Sequence, residues 1–160
     1  MNMTMSDHGK RLLAEWEGFE CKMYLDVAGL PTIGVGHLLT ENELSSKRIV
    51  VDGQALDYTC GLTEQQVYDL LGQDLARFEQ AVNEVVGPDL TQNQFDALVS
   101  FTFNVGASAF KQSTLLKRLN ERDFVDVPNQ LRRWNKSGGK KVQGLVNRRE
   151  NEIKLWKGEI

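Results

Sequence analysis

The stretch from Tyr24 to His37 constrains the fold of this chain more than any other part of the sequence. Its β-branched residues and three glycines indicate two short strands, Tyr24–Val27 and Thr32–Val35, joined by a turn at Ala28-Gly29. A two-stranded hairpin is marginally stable by itself in water, so it must pack on other elements. Because the rest of the chain is patterned mainly for helices, the sequence predicts an α+β fold.

Apolar residues recur at helical spacing through most of the remaining sequence. A first helix is expected from about Ser6 to Glu17, ended by Gly18, and a third short strand is expected at Ile49–Val51. The capping-box pattern Thr63-Glu64-Gln65-Gln66 opens a long helix. Further helices are expected to begin at Thr91, at Ser113 or Thr114, at Phe124 and at Lys140, and the last two are expected to end at Trp134 and Trp156.

The order of these elements predicts one domain over residues 1–160, built from two lobes. A small lobe with a short antiparallel sheet spans about residues 18–62, and a connecting helix spans about residues 63–80. The mostly helical lobe takes in about residues 81–160 and the N-terminal helix. A chain of 160 residues can bury a sizeable core without disulfides or a structural metal.

Charge is distributed unevenly along the chain. Residues 1–80 carry 6 Lys/Arg against 13 Asp/Glu, a balance of −7, whereas residues 81–160 carry 13 against 9, a balance of +4. A basic C-terminal half fits a polyanionic partner such as nucleic acid, an anionic membrane surface or the bacterial wall. A solvated face of mixed charge is the alternative. No helix-turn-helix or aromatic RNA-binding pattern supports nucleic acid.

The cysteines and histidines are too few to indicate a metal site. Cys21 and Cys60 are expected to be independent thiols, with a bridge between them as the alternative, and His8 and His37 lie far apart in sequence. No metal or cofactor is therefore expected. The N-terminus lacks the apolar region of a signal peptide, and no stretch is long enough for a membrane span. The chain is expected to be made as a soluble cytoplasmic protein.

Glu17 is the first candidate for chemistry. It lies in the last turn of the first expected helix, where the negative end of the helix dipole disfavours a carboxylate and raises its pKa. It also follows Leu13 by four residues and so shares a flank with an apolar side chain. A carboxyl group that is protonated near neutral pH can act as a general acid. An exposed glutamate at a helix end is the plainer alternative.

Asp26 stands in the first expected strand, where aspartate is disfavoured, so its presence there needs a reason. Proximity to a turn is one explanation. The other is that Asp26 and Thr32 face each other across the hairpin and hold a water molecule between them. Two carboxyl groups in one cleft, one acid and one base, are the minimum for glycoside hydrolysis.

The segment from Glu17 to His37, E-G-F-E-C-K-M-Y-L-D-V-A-G-L-P-T-I-G-V-G-H, resembles the active-site segment of the phage lysozyme family (glycoside hydrolase family 24 type). This family includes the T-even and lambdoid phage endolysins. Its Glu, Asp and Thr are matched by Glu17, Asp26 and Thr32, with the family's spacing of nine and then six residues. The resemblance extends to the segments Gln94–Gly106, Ser113–Asn120 and Gly144–Glu150, and so covers nearly the whole chain. The lambdoid lysozymes are more similar to this sequence than the T-even lysozymes are.

The resemblance implies a lysozyme-like α+β fold and a muramidase that cleaves the β-1,4 bond between N-acetylmuramic acid and N-acetylglucosamine. Glu17 would protonate the glycosidic oxygen, while Asp26 and Thr32 would position or activate a water on the other face of the sugar. Such inverting chemistry needs two carboxyl groups about 6.5–9.5 Å apart. It needs neither a metal nor a cofactor.

Arg149 stands in the middle of an apolar stripe of the last expected helix, formed by Val142, Leu145, Ile153 and Trp156. An arginine in that place is expected to be partly buried and to need a carboxylate partner. The resemblance suggests Glu17 as the partner, which would lower the pKa of Glu17 and oppose the effect of the helix end. Arg148 is the alternative for this role, and a surface arginine paired with Glu152 is the plainer interpretation.

Other residues have weaker assignments. His37 is expected to be a hydrogen-bonded structural histidine, supporting the site, rather than a catalytic base. By resemblance, Asn104 lines the sugar cleft with Ser113 nearby, and a helix C-cap is the alternative role for Asn104. Trp134 and the two arginines before it form either a glycan platform or the edge of the core.

The resemblance also implies the partners and the location of the protein. Bacterial peptidoglycan is the expected substrate, with no nucleic acid, and the protein is expected to be a monomer. It would stay in the host cytoplasm until a holin-type membrane pore releases it to the periplasmic peptidoglycan, and the host then lyses. A lytic transglycosylase is one alternative, which Asp26 and Thr32 disfavour because that reaction uses no attacking water. A non-catalytic peptidoglycan-binding module is the other.

Overall fold

The computed structural model describes residues 2–160. Short antiparallel sheets occupy the first third of the chain, and helices dominate the remainder, as the sequence predicts. The strands are β1 (Glu20–Leu25), β2 (Pro31–Gly34), β3 (His37–Leu38), β4 (Arg48–Val51), β5 (Gln54–Asp57), β6 (Lys136–Ser137) and β7 (Lys140–Lys141). The helices are α1 (Asp7–Glu17), α2 (Glu41–Ser46), α3 (Glu64–Val85), α4 (Gln92–Val105), α5 (Ala107–Lys111), α6 (Thr114–Asn120), α7 (Val127–Arg132) and α8 (Gln143–Trp156), with a 3₁₀ turn at Phe124–Asp126.

The chain divides into two compact units. One unit is Lys10–Leu75, and the other joins the described residues up to Gly9 with Ala76–Ile160. Both α1 and α3 contribute residues to each unit. Among the described helices, none combines the length and apolar character needed to cross a membrane.

The unit Lys10–Leu75 contains two separate sheets, which corrects the expectation of a single one. β1, β2 and β3 form the first sheet, whereas β4 pairs only with β5 in a second sheet. The third strand of the first sheet is therefore His37–Leu38 rather than Ile49–Val51. Gly36, with φ +66°, turns the chain back directly after β2. A strand of two residues shows no alternation of polar and apolar side chains, so the sequence pattern does not mark it.

The second unit is built around α4, which begins at Gln92 and has the predicted Thr91 as its N-cap. The Thr91 hydroxyl accepts from the Gln94 backbone N–H and the Gln94 side chain returns to Thr91, so both halves of a capping box are present. Every residue from Phe95 to Thr102 is buried, so this part of α4 is enclosed around its whole circumference and forms the core of the unit. Its fully or almost fully buried apolar residues are Phe95, Ala97, Leu98, Val99 and Phe101.

The extended N-terminal residues of the second unit are held by side chains of α3. Asn83 accepts a hydrogen bond from the Met3 backbone N–H at 3.0 Å and donates one to the Met3 carbonyl at 2.9 Å. The Glu79 carboxylate accepts from the Met5 backbone N–H at 2.7 Å. These side chains thus satisfy backbone N–H and carbonyl groups that an extended segment outside a sheet would otherwise leave without a protein partner.

The first turn of α1 is fixed in the same unit by Asp96 of α4. The Asp96 carboxylate accepts from both the backbone N–H and the hydroxyl of Ser6, and the Ser6 hydroxyl caps α1 by accepting from the Gly9 N–H at 3.0 Å. A Cβ at position 9 would lie 2.6 Å from Asp96 Oδ2. Only glycine therefore permits this close approach.

The sequence prediction was wrong at the start of the last helix. α8 begins at Gln143, while Lys140–Lys141 forms β7 and pairs with β6. Gly138 and Gly139 have φ angles of +58° and +79°, so they make the two-residue hairpin turn that Gly-Gly favours rather than an open loop. The helix expected over 124–134 is likewise shorter, because Pro128 stands in the first turn of α7 and the residues before it form a separate 3₁₀ turn.

Candidate active site

Glu17 is the last residue of α1. The helix ends there because Gly18, with φ +96°, leaves the helical conformation while its N–H still bonds to the Ala14 carbonyl at 2.9 Å. Glu17 is half-buried, and Leu13 one turn earlier is fully buried. A Cβ at position 36 would lie 3.3 Å from Glu17 Oε2, so the carboxyl group contacts the turn between β2 and β3.

Asp26 lies just after β1, in the turn that leads to β2. Its Oδ1 accepts hydrogen bonds from the backbone N–H groups of Ala28 and Leu30, both at 2.9 Å. An aspartate that binds its own turn in this way is held outside the strand ladder. The expectation that Asp26 faces Thr32 across the hairpin was therefore wrong, because the residue opposite Thr32 is Tyr24.

Thr32 and Asp26 nevertheless both form a hydrogen bond with Leu30. The Thr32 hydroxyl donates to the Leu30 carbonyl at 3.0 Å, and the Leu30 N–H is one of the two donors to Asp26. Thr32 is 2% exposed, so this hydroxyl is held in a fixed position. The two side chains are thus joined through a single residue of the turn.

Tyr24 is a residue of the site that the sequence analysis missed. Burial raises the pKa of its phenol, and the negative charges of Glu20, Glu17 and Asp26 raise it further. The hydroxyl therefore lies within electrostatic reach of both carboxyl groups that the sequence singled out. Alternation along a strand would have indicated it, since Tyr24 precedes Asp26 by two residues.

His37 lies between two carboxylates of the same unit. Its Nδ1 is 2.7 Å from Asp74 Oδ2 on α3, and its Nε2 is 3.0 Å from Glu43 Oε1 on α2. Burial lowers the pKa of His37, but the hydrogen bonds and charges of Asp74 and Glu43 outweigh it, so the pKa is raised above its ordinary value. Two ring nitrogens in hydrogen bonds are what a structural histidine requires.

Arg149 belongs to the other unit and is 1% exposed. Its Nε is 2.9 Å from Glu152 Oε1, its Nη2 donates to Asn104 Oδ1 at 2.6 Å, and its guanidinium lies 5.0 Å from the ring centroid of Phe101. The predicted burial is confirmed, and Glu152 is one carboxylate partner. Because the arginine is buried, the interpretation as a surface residue was wrong. The pairing with Glu17 stays a prediction.

Glu152 connects the two neighbouring arginines of α8. Its Oε2 is 3.1 Å from Arg148 Nε and accepts from the Ser100 hydroxyl at 2.7 Å. Burial raises the pKa of the fully buried Glu152 carboxyl, and the guanidinium groups of Arg149 and Arg148 oppose that rise. Two cations and one hydroxyl around a single carboxylate join α4 to α8.

Asn104 and Ser113 lie in the helical unit. Asn104 is exposed and its carbonyl oxygen binds Arg149, whereas Gly106 is the C-cap of α4, so the alternative role as C-cap was wrong. Ser113 is buried and is the N-cap of α6, where its hydroxyl accepts from the Leu116 N–H at 3.1 Å and donates to the Phe110 carbonyl at 2.7 Å. Contacts with a sugar stay a prediction for both residues.

Metal-ligating residues are scattered in the described part of the chain. Within residues 2–160 no three His, Cys, Asp or Glu side chains form a group that could hold a metal ion. Cys21 and Cys60 are free thiols, as expected.

Comparison with known proteins decides the family. Residues 14–152 match the family described as Phage lysozyme. The chain belongs to the phage lysozyme family. A crystal structure of a P22 lysozyme mutant is 35% identical to it, with a TM-score of 0.81 over 97% of this chain and 99% of that one. The lysozyme-like α+β fold is therefore confirmed.

Two phage endolysins are similar to this phage lysozyme family member over nearly its whole length. The endolysin of Salmonella phage P22 is 37% identical over 154 residues, covering 96% of this chain and 98% of that protein. The endolysin of Bacillus phage PZA is 40% identical over 156 residues, covering 96% of this chain but 55% of that protein. The chain therefore spans about half the length of the Bacillus phage relative.

Proposed function

We propose that this protein is a peptidoglycan-cleaving endolysin. It would hydrolyse the β-1,4 bond between N-acetylmuramic acid and N-acetylglucosamine in the wall of a bacterial host. The observation that carries the proposal is geometric: the Glu17 carboxyl contacts the Gly36 turn, and in the same unit Leu30 binds both Asp26 and Thr32. Membership of the phage lysozyme family supports it.

Glu17 is the proposed general acid, which gives its proton to the glycosidic oxygen of the leaving sugar. A general acid must be held at a fixed position relative to that oxygen. The end of α1 and the contact between Glu17 Oε2 and the Gly36 turn restrict the carboxyl group in this way.

Asp26 is the proposed base, which takes a proton from the attacking water. Oδ1 is occupied by the N–H groups of Ala28 and Leu30, whereas Oδ2 accepts no hydrogen bond from the described residues. Oδ2 is thus available to a water molecule. The Thr32 hydroxyl donates its one hydrogen bond to the Leu30 carbonyl, so it can bind that water only as an acceptor.

Tyr24 would act as a neutral group within electrostatic reach of both carboxyl groups. Because its pKa is raised above the ordinary value of a phenol, the hydroxyl is protonated at neutral pH. It therefore adds no third negative charge beside Glu17 and Asp26, and it offers a hydrogen-bond donor to the sugar or to the water.

An analysis of the reaction products tests this mechanism. Purified peptidoglycan digested by the protein should yield fragments with a free reducing N-acetylmuramic acid, and NMR at early times should show the α-anomer, because inversion of a β bond produces it. The Asp26→Asn variant should lose this activity. Fragments ending in 1,6-anhydro sugars would instead identify a lytic transglycosylase, and the absence of any fragments would identify a binding module.

Release and assembly form the last part of the proposal. The sequence resemblance to lambdoid lysozymes supports a monomer that reaches the wall through a holin-type pore. Expression in a host with and without such a pore tests this idea. Lysis should require the pore, and lysis without it would contradict the proposed route.

A further inference from the structure

The hairpin formed by β6 and β7 carries three lysines on six residues, and we call Lys136, Lys140 and Lys141 the basic hairpin. All three are exposed. Lys136 and Lys141 stand directly opposite each other across the two strands. Like charges in that arrangement destabilise a hairpin, so their presence needs an explanation other than stability.

The lysines of the basic hairpin lack the ion pairs that neighbouring basic residues form. Within residues 2–160, none of the three lies within ion-pair distance of a carboxylate. Arg132, four residues before Lys136, is paired with Glu150 at 2.9 Å. Arg118 is likewise paired with Glu121 at 3.3 Å. The positive charge of the hairpin is therefore available to an anion in solution.

A cavity of about 260 Å³ is lined by Trp134, Arg133, Gln130 and Thr114. Trp134 precedes the first residue of the basic hairpin by two positions in the sequence. The Trp134 ring is anchored edge-on against the buried Phe101, with centroids 5.4 Å apart. Arg133 donates to the Gln130 side chain at 3.1 Å and does not pair with a carboxylate in the described chain. Such a lining of one aromatic ring, amide and hydroxyl groups and a guanidinium suits a polar amide or peptide group.

We propose that the basic hairpin and the adjoining Trp134 cavity form a binding surface for the carboxylate-bearing peptide stems of peptidoglycan. This inference rests on the proposed function, since it specifies a second part of the same substrate. The lysines would bind the free carboxylates of the stem, and the cavity would take its amide backbone. The surface would hold the polymer without taking part in bond cleavage.

A peptide stem fits this surface better than a continuous polyanion. Nucleic acid is bound by a long basic surface that neutralises many phosphates. The hairpin offers only three positive charges, on two strands of two residues each. Several other basic residues of the same half of the chain are neutralised by ion pairs, as Arg132 and Arg118 are, so they do not extend the hairpin into such a surface. Three clustered charges match the few carboxylates of one or two stems.

Binding to two forms of the wall polymer tests the proposal. The K136Q/K140Q/K141Q variant is made in the Glu17→Gln background and mixed with sacculi that lack secondary polymers. We expect binding about fivefold to tenfold weaker than that of Glu17→Gln alone, because each exposed ion pair contributes little. On glycan strands stripped of their stems by an amidase, the two proteins should bind equally.

The matched control is K111Q/K117Q/K154Q, also made in the Glu17→Gln background. It removes three exposed lysines that lie in the same unit but outside the basic hairpin. It should bind stem-bearing sacculi as Glu17→Gln does, and salt should weaken its binding more than that of the hairpin variant. In the wild-type background, the hairpin substitutions should raise KM and leave kcat unchanged.

Two results would overturn the proposal. One is an equal loss of binding for the control and the hairpin variants, and the other is an equal loss on stem-free glycan, which would point to the sugar chain as the ligand. Circular dichroism of both triple variants shows that each is folded. Turnover by Glu17→Gln would refute the proposed acid instead, and the KM comparison in the wild-type background would still test the hairpin.

Discussion

At the scale of single residues, position 36 is restricted by both its backbone and its surroundings. Its φ of +66° favours glycine, and a Cβ there would contact the Glu17 carboxyl at 3.3 Å. Gly53, in the turn between β4 and β5, has a similar φ of +79° but has no atom within 4 Å of the corresponding Cβ. The chain thus offers a pair of glycines that separates the two restrictions.

Gly36→Ala should lower activity far more than Gly53→Ala. Both substitutions place an alanine at positive φ, which costs about 1–2 kcal/mol of stability. Only the change at position 36 displaces the Glu17 carboxyl, and displacing a reacting group by a fraction of an ångström lowers kcat by up to about tenfold. Steady-state kinetics with denaturation curves for both variants measure this difference. Equal activities for the two would mean that the turn does not position Glu17.

His37 should make stability depend on pH. A histidine whose pKa is raised on folding stabilises the protein fully below its unfolded pKa of about 6.5, and that contribution is lost as the pH rises through the folded value. The difference in free energy of unfolding between wild type and His37→Gln should therefore shrink from mildly acidic to alkaline pH. Urea denaturation at several pH values measures it.

The control for His37 is the same substitution at His8, which is exposed. In the described chain His8 has no carboxylate within ion-pair distance, so at mildly acidic pH we expect His8→Gln to lower the free energy of unfolding less than His37→Gln does. A pH-independent difference for His37→Gln would contradict a charged histidine between Asp74 and Glu43.

At the scale of secondary-structure elements, α4 and α8 are joined by the buried carboxylate of Glu152. Glu152→Gln leaves Arg148 and Arg149 without that charge, and breaking a buried ion pair costs about 3–5 kcal/mol. Glu150→Gln, two residues earlier on the same helix, removes an exposed pair with Arg132 and should cost less than about 1 kcal/mol. Chemical denaturation compares the two, and similar losses would contradict a stabilising role of the buried network.

The N-terminal extended segment should stabilise its unit through Asn83. Asn83→Leu removes two hydrogen bonds to the Met3 backbone, which together contribute about 1–3 kcal/mol. Gln80→Leu on the same helix removes a bond to Glu84 only, at an exposed position, and is the matched control. Hydrogen exchange of the N-terminal amides should accelerate in Asn83→Leu alone, and unchanged protection would show that the segment is held by other contacts.

The sequence predicted the elements that are long or carry turn chemistry. The capping box at Thr91 and the glycine stop after Glu17 located α4 and α1, because these patterns act within a few residues. α2, β3 and β7 were missed since elements of two to six residues have no periodicity to detect. The register of the first hairpin was wrong because Asp26 bonds to its own turn.

Contacts between residues far apart in sequence were the least predictable features of both units. His37 binds Asp74 of α3, which lies 37 residues away in the sequence. Ser100 of α4 binds Glu152 of α8, which lies 52 residues away. No local pattern specifies such pairs. The motif residues themselves were predictable because their spacing matches a family.

At the scale of the whole molecule, the central claim is that one carboxyl group, that of Glu17, supplies the proton for bond cleavage. Glu15 stands on the same helix, is exposed and has the same side chain, so it provides a control for charge and position. The Glu17→Gln and Glu15→Gln variants differ from each other only in which carboxyl group is removed.

The most direct test is the rate at which these two variants and the wild type release soluble fragments from purified peptidoglycan, with folding checked by circular dichroism. Glu15→Gln should retain the wild-type rate, and Glu17→Gln should lose at least about a hundredfold, because general acid catalysis contributes about 10²–10⁴ to the rate. A folded Glu17→Gln protein that releases fragments at the wild-type rate would contradict the account.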